Sequence, residues 1–285
     1  MAIPLIAVIL PAVAWAQTPG IQPAGVGQNR PASLAPPHAD EVTDKDRAAL
    51  DRIVAVRAAI TASQSNSGPV GVTVEVENVS GKTITAYAGV LLAHYASGKE
   101  ESQGWLEDVL MDTVLIQIPG ITTPFPKTLR AGEILRSKHL FPRDPDGSAP
   151  LYVSAKPTMV AFEDRTALGG AMQIKMVSES RLQHSDDLLD VVGRLRAAQT
   201  HPKVLAAIRA NADPLPAIRS ALSEQINQIE KVSAEPGRGR LLILQEYVKY
   251  LSHAGVPASI LDSIIMTNQV TQRAMADHAN LTEPQ

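Results

Sequence analysis

The residues VTVEVENVSGKTITAYAGVLLAHYASG, numbers 72–98, decide the fold. Val72, Val74 and Val76 alternate with Thr73, Glu75 and Glu77. A period of two sends successive side chains to opposite faces of an extended chain, so this is a strand with one buried face. The pattern stops at residues 78–82, NVSGK, where Asn, Ser and Gly favour a reversal. It resumes over residues 83–96 as a second strand, so NVSGK is expected to close a hairpin.

Further along, LEDVLMDTVLIQI, residues 106–118, is ambiguous by composition, although residues 113–118 favour a strand. TLRAGEIL, residues 128–135, reads as a turn between short extended pieces, and RDPDGSAP, residues 143–150, as a loop. LYVSAK and TMVAF are strands, and Pro157 between them marks an edge or a bulge. Short strands separated by turn signals predict an antiparallel β-sandwich over residues 70–168. VAFEDRTALGG, residues 160–170, closes it: Glu163 to Thr166 form a turn, and Gly169 and Gly170 release the chain.

From residue 169 to 280 the period changes to 3.6. Leu188, Val192 and Leu195 share a face, as do Ile218, Leu222, Gln225, Ile226 and Ile229, then Leu241, Leu244, Val248 and Leu251. A last helix is expected from Pro257 to about Ala279. Breaks at THP, ADPLP, AEPGRG and HAGVP give four or five helices, a small antiparallel bundle. The LLILQEYVKYL face, residues 241–251, suits a central buried helix or, alternatively, a docking face.

Upstream, EVTDKDRAALDRIVAVRAAITASQ, residues 41–64, reads as an N-terminal helix. Thr43 caps it, and Leu50, Ile53, Val56 and Ile60 lie on one face. Residues 17–40 are rich in Pro and Gly and read as a disordered linker. Residues 1–16 read as a signal peptide: an apolar run, then Ala14-Trp15-Ala16, with cleavage expected between Ala16 and Gln17. No Lys or Arg follows Met1, and a retained anchor is the alternative, but Pro4 and Pro11 interrupt a run shorter than a span of roughly 20 residues. The expected location is periplasmic or secreted, with no membrane span in the mature chain.

A resemblance can be placed on two of these stretches. VTVEVENVSGKTITAYAGVL resembles the opening of Ig-like, FxLYD-type sandwich modules of secreted bacterial proteins. VAFEDRTALGG is similar to the closing strand and turn of uncharacterised exported proteins, with Arg165 where Gly is usual. The resemblance covers about residues 70–170 and implies a fold and a location, not site residues. The fold class is thus α+β, an antiparallel Ig-like β-sandwich followed by a small helical bundle.

Composition limits the chemistry. Hydrophobic residues at 45% and charged residues at 19% make a globular chain. A net charge of -3 with no basic run gives no footprint for nucleic acid. The absence of cysteine removes disulfides, thiolate metal sites and cysteine nucleophiles. The seven histidines include no metal-binding pair by spacing, though His94 and His139 could converge in space. Gly-x-Ser-x-Gly is missing, and SGKT, residues 80–83, lacks the rest of a phosphate loop. Asp144 and Asp146 match the first half of a calcium loop only. Residues 235–240, EPGRGR, place two arginines at a helix start, where an anion could bind, although a solvated first turn is the plainer reading.

No catalytic, cofactor-binding or metal residue is assigned on this basis. The expectation is a non-catalytic interaction or structural module with an unidentified protein partner. The alternatives are an exported hydrolase using Glu163, Asp164 and Glu107 or Asp108, or a carrier of an apolar ligand.

Overall fold

The computed structural model describes residues 42–61, 68–110, 128–232, 238–253 and 255–283. All lie in one compact unit, Pro36–Gln285. The expected signal peptide, cleavage site and linker, and the expected strand at 113–118, fall outside the described residues.

Helix α1 spans Asp44–Leu50, with Thr43 as its cap: the Thr43 hydroxyl accepts from the Asp46 amide at 3.1 Å. The helix expected through residue 64 stops there. Val54–Ile60 is strand β1, paired antiparallel with β2, Val70–Asn78. The three-and-four spacing from Leu50 to Ile60 overlaps an equally good period of two at Val54, Val56 and Ala58. Pairing Val56 with Val76 and Ala58 with Val74 decides for the strand, because β-branched residues fit a pleated surface. β2 itself alternates strictly between buried and half-buried residues, as its valines predict.

Five more strands follow: β3 (Ile84–His94), β4 (Glu100–Asp108), β5 (Ile134–Phe141), β6 (Tyr152–Phe162) and β7 (Ala167–Gly169). They form two antiparallel sheets, in the orders β1-β2-β5 and β4-β3-β6-β7. Residues 78–82 therefore do not close a hairpin. They carry the chain from one sheet to the other. Asn78, fully buried, holds this crossover: its Nδ2 donates to the carbonyls of Lys82 and Leu129, both at 2.8 Å, and its Oδ1 accepts from the Ser80 amide and hydroxyl.

One core cluster joins the sheets, with Val72, Val74 and Val76 of β2 meeting Tyr87, Leu91, Trp105, Val160 and Phe162. On its other face the second sheet presents small residues, Ala86, Ala88 and Ala161, with Met159, to Val177 of a helix. Both faces are covered, so β3 is buried at nearly every position. LYVSAK and TMVAF run together as the single strand β6. The register shifts between Ala88 and Gly89 of β3, opposite Met159 and Pro157, which makes the expected bulge. Gly89 is required here, since a Cβ would collide with the Trp105 ring.

The five C-terminal helices are α2 (Ala171–Gln199), α3 (Pro202–Arg209), α4 (Leu215–Val232), α5 (Arg238–Tyr250) and α6 (Ile260–Ala279). Their shared core takes Leu188, Val192, Leu195, Ile218, Leu222, Leu244 and Leu251 from the predicted apolar faces. Leu242, expected to widen the α5 stripe, is instead exposed. Leu110, two residues beyond β4, packs into this helical core. α2 and α6 run antiparallel, tied by Gln199 to Asp262 at 2.6 Å, Gln272 to Ser185 at 3.0 Å, and Arg181 to the His278 carbonyl at 2.8 Å. Among the described residues, no helix is long and apolar enough to cross a membrane.

Candidate functional site

Two of the carboxylates singled out in the sequence, Asp164 and Asp108, are tied into the structure. Asp164 sits in the turn between β6 and β7. Its Oδ1 accepts from the Thr166 amide at 3.0 Å and hydroxyl at 2.5 Å, and its Oδ2 from Lys82 Nζ at 2.7 Å. The Lys82 bond, then the Thr166 hydroxyl, lowers the Asp164 pKa to about 2, so it stays ionised at any ordinary pH. Lys82 also lies 5.1 Å above the Phe162 ring centroid. Glu163 is exposed, and with Lys82, Thr83, Phe162 and Asp164 it lines a shallow depression of about 280 Å³. Both Asp164 carboxylate oxygens are thus already hydrogen-bonded.

Arg165 follows at φ 67°, the left-handed region that ordinary residues avoid. The turn has a purpose there: the Arg165 carbonyl accepts from the Thr282 amide at 2.9 Å, and the Thr282 carbonyl accepts from the Ala167 amide at 2.8 Å. The sharp turn thus fastens the C-terminal residues to β7.

Asp108, at the end of β4, is bound by the buried guanidinium of Arg181. Nε donates to Oδ2 at 2.7 Å and Nη2 to Oδ1 at 3.1 Å, while Nη2 also reaches the Thr85 hydroxyl at 3.2 Å. This bidentate pair fixes α2 against the second sheet. Glu107, its neighbour on β4, is half-buried and pairs in register with Tyr87. Neither Glu107 nor Asp108 lines the depression that holds Glu163 and Asp164.

The histidines stay apart. His94 stacks on Tyr152 with ring centroids 4.2 Å apart and meets Glu100 at 2.9 Å. His139, on the other sheet, meets Ser137 at 2.9 Å. Asp144 accepts from the Ser97 hydroxyl at 2.5 Å and lies 3.8 Å from Lys99, and Asp146 accepts from the Ser148 amide at 2.8 Å. These contacts pin a loop rather than form a calcium site, and no cluster of metal-ligating residues occurs among the described residues. Of residues 235–240, 235–237 lie outside the described residues. Arg240 lies 3.9 Å from Asp190, and its buried Nε has no hydrogen-bond partner among the described residues.

A second opening is a groove of about 800 Å³ between α2 and α4. α2 lines it with Asp186, Leu189, Asp190, Gly193, Arg194 and Ala197, and α4 with Gln225 and Gln228. Leu189 is 59% exposed, a large apolar side chain left in water on a helix that buries its opposite face. Arg194 Nε donates to Asp190 at 2.6 Å, and Gln225 Nε2 donates to the Arg194 carbonyl at 3.3 Å. Small residues at 193 and 197 keep the floor low. Behind the groove Asp187 is buried, and burial raises its pKa. The apolar stripe of α2 marks the buried side of the helix and says nothing of its outer face. The signal was there in the spacing of 186, 189, 193 and 197, which share one side of a helix.

No protein-family model matches the chain, and no curated protein matches it. Two similar solved structures are Northeast Structural Genomics Consortium targets. Target SoR45 has a TM-score of 0.22 and 12% identity, over 41% of this chain and 80% of that one. Target BeR40, from Bordetella pertussis, has a TM-score of 0.19 and 13% identity, over 39% of this chain and 79% of that one. Neither overlap reaches the level at which a shared fold follows.

Proposed function

We propose that this chain is an exported, non-catalytic interaction module of the periplasm or cell exterior, which docks a protein partner in the groove between α2 and α4. The observation that carries this reading is the contrast between two regions. Two of the candidate carboxylates, Asp164 and Asp108, are held in ion pairs, whereas the groove leaves Leu189 in water between charged and amide side chains. An apolar anchor rimmed by polar groups is the usual composition of a protein-binding surface. An Ig-like, FxLYD-type arrangement of residues 70–170 belongs to the same proposal. It is supported by two antiparallel sheets in which the first, second and fifth strands face the fourth, third, sixth and seventh.

The test is a turnover panel of esters, peptides and glycosides with the purified mature protein. The proposal expects no turnover. A turnover abolished by Glu163→Gln or Asp164→Asn would replace it with the hydrolase. N-terminal sequencing of the exported protein is expected to read from Gln17, and a retained Met1 would contradict export by cleavage.

A further inference from the structure

The N-terminal end of α2 is built unlike a closed helix start. Gly170 is the cap residue and brings no side-chain hydrogen bond, and the first turn holds no acidic residue. The amides of Ala171, Met172 and Gln173 have no acceptor within the helix, because only from Ile174 onward does an amide reach back four residues, here to the Gly170 carbonyl at 3.1 Å. Their partial positive charge adds to that of a helix of 29 residues.

A second observation points to the same place. Gln173 is 1% exposed, and neither its Oε1 nor its Nε2 has a hydrogen-bond partner among the described residues. Its carboxamide folds back over the cap, into the space that a side chain on Gly170 would fill. The buried hydroxyl of Thr158 is also without a partner, and the Thr158 carbonyl receives the Gly170 amide at 3.0 Å. Leaving a buried carboxamide without partners is costly in a site that never receives a ligand. Ala171 and Met172 are exposed, so the helix start is open to solvent.

We infer that the start of α2 is an oxyanion site, in which the first-turn amides and the Gln173 carboxamide donate to a phosphate or carboxylate group. Helix amides aimed at an anion are a recurrent binding device. The Gln173 amide supplies an in-plane donor once its carboxamide turns Nε2 toward the cap, where Oε1 now lies nearer. The site is separate from the α2–α4 groove and does not depend on it.

The test is an amide chemical-shift titration of the mature chain with inorganic phosphate, then acetate, against chloride at equal ionic strength. Saturable shifts centred on Ala171, Met172 and Gln173 are expected, with apparent affinity lowered at least tenfold in Gln173→Leu. Gln173→Glu, which puts a like charge in the site, is expected to do the same while keeping the fold. Response to phosphate alone identifies a tetrahedral group, and response to acetate alone a carboxylate. Shifts no larger than those in chloride, or unchanged affinity in both variants, overturn the inference.

Discussion

Arg181 shows how much one side chain decides. It is fully buried, and its guanidinium reaches Asp108, Thr85 and the His278 carbonyl, so one residue joins β3, β4, α2 and the end of α6. Removing one partner strands the other charge in the interior. Arg181→Met is expected to destabilise the protein by about 3–5 kcal/mol in urea unfolding. Adding Asp108→Asn should recover part of that loss, and strict additivity would contradict the pairing. At Arg165 the effect runs the other way. Its φ of 67° costs a side chain about 1 kcal/mol, so Arg165→Gly should raise stability by up to that amount, and Arg165→Val should lower it. The turn at Glu163 to Thr166 was legible in the sequence, but the reason for the Arg165 conformation was not. The Thr282 amide that the Arg165 carbonyl receives lies 117 positions away by numbering, and no local pattern reports such a contact.

Among the elements, β2 was legible because only one of its faces is buried. β1 was not, because its apolar spacing satisfies a helix and a strand alike, and only its pairing with β2 decides. The 78–82 turn has the residues of a hairpin, yet local chemistry cannot tell a reversal within a sheet from a passage between sheets. Gly89 follows from packing: Gly89→Ala meets the Trp105 ring and should cost about 1–3 kcal/mol, measured by thermal unfolding. On α2, His184 is buried and its Nε2 has no hydrogen-bond partner among the described residues. Desolvation lowers its pKa from 6.5 to about 4. The unfolded chain therefore takes up a proton near pH 6.5 that the folded chain refuses until about pH 4. Stability is full above pH 6.5, falls as pH drops through this window, and has lost about 3 kcal/mol at its lower end. His184→Gln should flatten that part of the pH profile, and an unchanged slope would show that other groups cause it.

At the scale of the whole molecule, two sheets share one core and a helical layer covers the second sheet through Ala86, Ala88, Ala161 and Val177. The change of period near residue 169 announced the order of these layers, since it is a property of the local chain. The groove was hidden, since it forms on the outer side of α2 only when α4 comes beside it. The account rests on that groove as the docking surface. It is tested most directly by a photo-crosslinking residue at position 189, with position 57 on the exposed face of β1 as the control, in cells exporting the full chain. The account predicts a discrete adduct with a protein partner from 189 and none from 57. No adduct from 189, or equal adducts from both positions, would contradict it.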